Sequence, residues 1–146
     1  MPVANLLPHA RTPRDDHDGG NAENGARLFR VNCSSCHRIN AVGGRLGPDL
    51  SRIGSARPRD VLAARIRRGS EDFRAGFEPV TITPETGPAI QGVKKNEDLF
   101  SVQIMDSRER IQGFEKDKMK AVVDGTKSTM PVFGPDRLSD SDVDDL

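Results

Sequence analysis

Both cysteines of the chain and one of its three histidines fall within five consecutive residues, Cys33, Cys36 and His37 in the run VNCSSCHRIN. Two thiols three positions apart on the first turn of a helix can add across the two vinyl groups of one porphyrin, which carries a histidine directly after the second thiol beneath the iron as an axial ligand. On that chemistry Cys33 and Cys36 attach one covalent haem c and His37 ligates its iron. The same residue types serve other chemistries. Tetrahedral zinc normally takes four ligands, adjacent Cys36 and His37 are awkwardly placed to share one ion, and the chain has no third cysteine. A thioredoxin-type dithiol belongs in a βαβ setting, whereas the residues before Cys33 have the pattern of a helix. A structural disulfide is a further alternative.

A six-coordinate electron-transfer haem takes a second, soft ligand, usually a methionine sulfur, which favours the ferrous state. Of the four methionines, Met1 lies in a tail, Met105 ends a strand-like run before Asp106, and Met119 sits in the charged run EKDKMKAV, where packing is the simpler role. Met130 lies in KSTMPVFGP, where Pro131 interrupts helix and sheet and leaves a loop able to present the side chain inward. A core-filling Met130 is the alternative. With His37 and Met130 as the metal ligands, the filled sixth position argues against oxygen or peroxide activation. The expectation is an electron carrier with no catalytic residues of its own.

These residues need elements to hold them. A chain of 146 residues suits about one domain, and with 34% hydrophobic residues, no Trp or Tyr and six Phe its protein-only core would be thin, so a large apolar cofactor would help to fill it. Ala22, Ala26 and Phe29 share one face of a helix running into the cysteine motif, with Leu28 beside it. RPRDVLAARIRRG predicts a second helix, with Pro58 at its first position, Val61, Leu62 and Ile66 on one face, and Gly69 as the stop. From about residue 77 the period changes to short β-branched or alternating runs, EPVTIT, PAIQGVK, LFSVQIM, RIQGFEK and MKAVV, with Phe100, Val102 and Ile104 on one face. They predict a small antiparallel meander curled into a half-barrel.

The ends are different. Residues 1–20 carry prolines, Asp-Asp and Gly-Gly with no period, and are expected to form a flexible tail in which His9 and His17 are solvated. LSDSDVDDL starts a helix with Ser139 as N-cap and Asp142 as its partner, then stops at Leu146, so the chain reads as an excised piece with a truncated last helix. Formal charge cancels at 22 against 22, which gives no reason to invoke nucleic acid or an anionic membrane. Locally it does not cancel. Between Arg27 and Arg74 there are eleven Arg, no Lys and four acids, while Asp136 to the end holds five Asp and one Arg, expected as two solvated surfaces. No apolar run approaches membrane-span length, and the N-terminus lacks the apolar region of a secretory signal.

Taken in order, GARLFRVNCSSCH, GPDLSRIG, STMP and RLSDSDVDDL resemble a class I c-type cytochrome over residues 21–76 and 124–146. The resemblance implies that Gly25 and Phe29 belong to the first helix, that the Pro48 carbonyl accepts the Nδ1 proton of His37, and that the Met-Pro loop supplies Met130. It also implies a last helix packed across the first. The 93 positions between His37 and Met130 exceed a minimal cytochrome, and the segment from GFEPVTIT to FEKDKM resembles the insertion of haem-binding domains fused behind β-propeller dehydrogenases of the PQQ-dependent sugar dehydrogenase type. The expected fold is therefore mainly α, a small-helix cytochrome c domain over residues 21–146 around one haem with a β-insert at 77–123. Arg45 and Arg52 flank the loop over the proximal histidine and are expected to pair with the haem propionates. The implied partner is a redox protein such as a quinoprotein dehydrogenase, in a periplasmic or other extracytoplasmic setting. The alternative function is a haem-containing interaction module whose β-insert docks a partner domain.

Overall fold

The computed structural model describes residues 19–69 and 72–146, so His9, His17 and most of the expected tail lie outside the described residues. In chain order the elements are α1 (Ala22–Asn32), β1 (Arg38–Ile39), β2 (Val42–Gly43), α2 (Ile53–Ala56) and α3 (Arg59–Arg68). There follow β3 (Pro79–Pro84), β4 (Ile90–Glu97), β5 (Ser101–Asp106), β6 (Ile111–Glu115), a single 3₁₀ turn Lys116–Lys118, β7 (Met119–Asp124) and α4 (Asp140–Asp145).

The expectation of a mainly α fold is overturned. Among the described residues helix accounts for 27% and strand for 28%, and β3 to β7 form one five-stranded antiparallel sheet. The helices are short, at eleven, four, ten and six residues, so a sheet of five strands matches them in mass.

Helix α1 is capped by the Asn21 side chain, which accepts from the amides of Glu23 and Asn24 at 3.0 Å. Its buried positions are Gly25 and Leu28; Ala22 and Ala26 are exposed and Phe29 is half-buried, so the inward stripe is rotated from the one expected. The reason is at Gly25, where a Cβ would collide with the Asp145 carbonyl of α4. A glycine that admits a crossing backbone carries no apolar signal. Asp145 also accepts from the Asn21 amide and the Asn24 side chain, each at 2.6 Å. Two turns of α4, begun by the reciprocal Ser139–Asp142 capping box, thus already lie across α1.

Leu28, Phe133, Leu138 and Val143 form the helical core, with Ala63 and Ile66 of α3 against it. Arg67 of α3 donates to the carbonyls of Phe133 and Leu138 and pairs with Asp140 at 2.7 Å, and Arg59 pairs with Asp144 at 2.9 Å. The basic and acidic stretches therefore meet across α3 and α4 while staying largely solvated. Most of these side chains are exposed, so the ion pairs themselves contribute little; the half-buried Arg67 matters more because it satisfies loop carbonyls.

The sheet has a core of its own, Val80, Ile82, Val102 and Ile104, with Ile90, Phe114, Met119 and Val122 packed against it. Its strand order is β6-β5-β4-β3-β7. In a flat sheet the outer strands would stand about 19 Å apart at the usual spacing of about 4.8 Å. Only residues 116–118 join β6 to β7, and that connection reaches about 14 Å even when fully extended. The sheet must therefore curl, and β6 and β7 behave as one bent strand that pairs first with β5 and then with β3. Phe100 does not join the inward face: it precedes β5, in a turn whose amides at Phe100 and Ser101 donate to Asp98 at 2.7 Å, and is 76% exposed.

Two separate cores should fail separately. Ile82→Ala is expected to destabilise the barrel by about 2–5 kcal/mol while amides around Leu28 keep their hydrogen-exchange protection. Equal loss of protection in both regions would contradict this.

Candidate functional site

Helix α1 ends as it reaches the cysteines, so the motif follows the last turn of a helix; it does not open one. Cys33 is the C-cap, its amide and that of Ser34 donating to the Phe29 carbonyl at 2.9 and 3.0 Å. The amides of Cys36 and His37 then donate to the Cys33 carbonyl at 3.1 and 2.9 Å, which closes the Cys-x-x-Cys-His turn. Both thiols are free and half-buried. Burial, then the neighbouring Cys36, pushes the Cys33 thiol above its ordinary value, so it is a neutral thiol at pH 7. That is the reverse of the depressed value on which a dithiol redox centre relies.

After His37 the chain makes a two-residue hairpin, β1 pairing with β2, with Asn40 and Ala41 both in the left-handed region at φ 51° and 67°. This hairpin was not foreseen: Asn40 suits it, but Ala41 stands where glycine is usual. It returns the chain under the motif. The Gly44 amide donates to the Ser34 carbonyl and the Gly47 amide to the Cys36 carbonyl, both at 2.8 Å.

His37 Nδ1 lies 2.8 Å from the Pro48 carbonyl oxygen. A carbonyl only accepts, so Nδ1 carries the proton and the Nε2 lone pair is left to ligate. Gly47 backs the ring, because a Cβ there would sit 2.5 Å from Cε1 and 2.7 Å from Nδ1. Any side chain at residue 47 would displace the imidazole, a constraint that nothing in the string GGRLGPDL announces. The donor set of two free cysteines on the turn that carries one oriented imidazole suits a covalently held haem. Among the described residues no group of three or more His, Cys, Asp or Glu could hold a bare metal ion.

The two candidate arginines differ. Arg45 is exposed and meets Glu109 of the β5–β6 turn: its amide donates to Oε1 at 2.6 Å and its Nε to Oε2 at 3.2 Å. The Arg45 amide, then its guanidinium, with Arg38 adding charge, hold the Glu109 carboxyl below the usual carboxylate range. Arg52 is exposed at the start of α2, and its backbone carbonyl accepts from the Ser55 amide and hydroxyl. Nearby, the Ser51 hydroxyl and amide, with Arg38 and Arg74 adding charge, lower Asp49.

The methionines separate by what they pack against. Met105 is 4% exposed within β5, and Met119 packs against the barrel core. Met130 is half-buried in the loop before Phe133, outside both cores. Phe133 anchors that loop to α3: its side chain is buried and its amide donates to the Ile66 carbonyl at 3.0 Å.

Gly47→Ala is expected to break the His37–Pro48 contact. NMR of the imidazole should show it as faster exchange of the Nδ1 proton, by about tenfold or more for one lost hydrogen bond left partly buried.

The family profile described as cytochrome c matches residues 22–99, more than half of the 146-residue chain. It takes in the cysteine motif and Pro48 and ends within the barrel, short of Met130. No curated protein matches the chain.

Proposed function

This chain belongs to the cytochrome c family and is a carrier of electrons on covalently bound haem c, and from that premise we propose a His37/Met130-ligated carrier that accepts electrons from a dehydrogenase. The observation that supports it best is the 2.8 Å contact between His37 Nδ1 and the Pro48 carbonyl, with Gly47 against the ring. Haem c supplies a one-electron ferric–ferrous couple.

The protein's own residues do the rest. Cys33 and Cys36 hold the group through two thioether bonds on the turn that carries His37. Pro48 fixes the imidazole tautomer and, by accepting its proton, raises the basicity of Nε2. Met130 would supply the soft sixth ligand, since Met105 and Met119 pack in the sheet's core. Arg45 and Arg52 would pair with the propionates; Glu109 engages Nε of Arg45, so its two terminal amino groups would be the donors. The setting is periplasmic or otherwise extracytoplasmic, and among the described residues no helix is long and apolar enough to cross a membrane.

The separate core of the barrel favours a second role beside the redox one, that of docking a partner domain. The partner proposed is a quinoprotein dehydrogenase, either fused or separate. At the β4–β5 tip Leu99 and Phe100 are 80% and 76% exposed, side by side on a turn fixed by Asp98, and offer an apolar contact for it.

Met130→Ala should abolish the weak near-infrared sulfur-to-iron band and lower the midpoint potential, because hard water or hydroxide replaces a thioether. Met105→Ala and Met119→Ala should keep the band; its loss in the Met119 variant alone would move the sixth ligand there. For docking, Phe100→Ser should slow electron acceptance from a quinoprotein dehydrogenase about fivefold or more with an unchanged spectrum. An unchanged rate would remove the tip from the interface.

A further inference from the structure

The β5–β6 turn of the sheet meets the loop over His37 through Glu109 and Arg45, and that contact is built. Asp106, at the end of β5 and only 5% exposed, accepts from the amides of Arg108 at 2.9 Å and Arg110 at 3.0 Å, from Arg110 Nε at 2.9 Å and from Gln112 Nε2 at 2.8 Å. A buried carboxylate satisfied by four donors fixes the whole turn. Within that turn Glu109 is held in the left-handed region at φ 59°, its amide donating to the Asp106 carbonyl at 2.9 Å. A non-glycine residue there is strained unless its surroundings hold it.

What the turn presents to residues 44 and 45 is the Glu109 carboxylate. Its Oε1 takes the Arg45 amide at 2.6 Å and stands 2.9 Å from where a Cβ of Gly44 would be. Gly44 also donates to the Ser34 carbonyl, and the same Cβ would collide with the Ser35 carbonyl. Gly44 is therefore in close contact both with Glu109 and with the two residues that separate the cysteines. Three positions on, the same backbone carries Gly47 against the imidazole and Pro48 on its Nδ1.

We propose that Glu109 is a positioning residue for the axial histidine: it braces residues 44–48 against the Cys-x-x-Cys turn, so that the barrel holds the Pro48 carbonyl on His37 and tunes the haem. The inference rests on His37 as the proximal ligand. Two consequences of losing Glu109 act in one direction. The negative charge that offsets Arg45 disappears, and a looser Pro48 contact makes the imidazole a weaker donor. Each disfavours the ferric state, so the potential rises.

The test uses the full haem-loaded chain in its ferrous form with Glu109→Ala and Glu109→Gln, the second retaining an acceptor of similar size for the Arg45 amide. Absorption spectra, midpoint potentials and exchange of the His37 Nδ1 proton and the Gly47 amide are compared with the parent. The expected result for Glu109→Ala is a raised potential with both protons exchanging about tenfold faster or more, as befits loss of a charge-assisted hydrogen bond. Glu109→Gln should show a smaller change in exchange and a raised potential. A raised potential with unchanged exchange would make Glu109 a mere charge and overturn the bracing role, as would no change in either. If Glu109→Ala does not fold, Glu109→Gln decides, unchanged Nδ1 exchange counting against the proposal. A parent spectrum without the thioether band would refute Met130 ligation but leave the exchange comparison at His37 intact.

Discussion

Everything in the helical half is arranged around one hydrogen bond, that between His37 Nδ1 and the Pro48 carbonyl. An imidazole can present a lone pair to iron on only one nitrogen at a time, and fixing the proton on the other decides which. To bring a carbonyl eleven residues away onto that ring the chain must turn back at once, and it does so through a two-residue hairpin with Asn40 and Ala41 in left-handed conformation. It must also pass the ring at van der Waals contact, which only a residue without a side chain allows, and that residue is Gly47. The close approaches at Gly44 and Gly47 are thus consequences of one contact.

The second constraint is size. A chain with few large apolar residues cannot build one broad core, and it makes two small ones. The helical core of Leu28, Phe133, Leu138 and Val143 has no aromatic besides Phe133 in its fully buried set, which agrees with a haem completing it. The barrel is self-sufficient, because a curled sheet buries both ends of its inner face without help from another element. Its attachment to the rest through Glu109 and Arg45 is polar and local. Such a joint lets an insertion sit beside a ligand loop without sharing its core.

Electrostatics does a different job here from the one that charge counts suggest. The arginines of α3 reach the carbonyls and carboxylates of the C-terminal segment, and so hold the loop after Met130 and the short α4 in place. Around the proximal loop, Arg38, Arg45 and Arg74 share a small region with Asp49 and Glu109. That concentration of guanidinium groups is suited to the carboxylates of a propionate-bearing cofactor.

By itself the sequence determined the chemistry: Cys33, Cys36 and His37 are adjacent in the chain, so their joint use needs no tertiary information, and the five β-branched runs that became β3 to β7 were legible because strand alternation is a local pattern. The capping box at Ser139 was legible for the same reason. The balance of helix to strand, the inward face of α1 and the place of Phe100 were decided only in three dimensions. Gly25 is buried by a backbone from the other end of the chain, and Phe100 is exposed because Asp98 takes it into a turn before the alternation begins. The roles of Gly47 and Glu109 belong to the same class. One acts through an absent side chain and the other from sixty-four residues beyond Arg45; neither a missing atom nor a distant partner leaves a periodic trace, and only the folded chain brings them to the histidine.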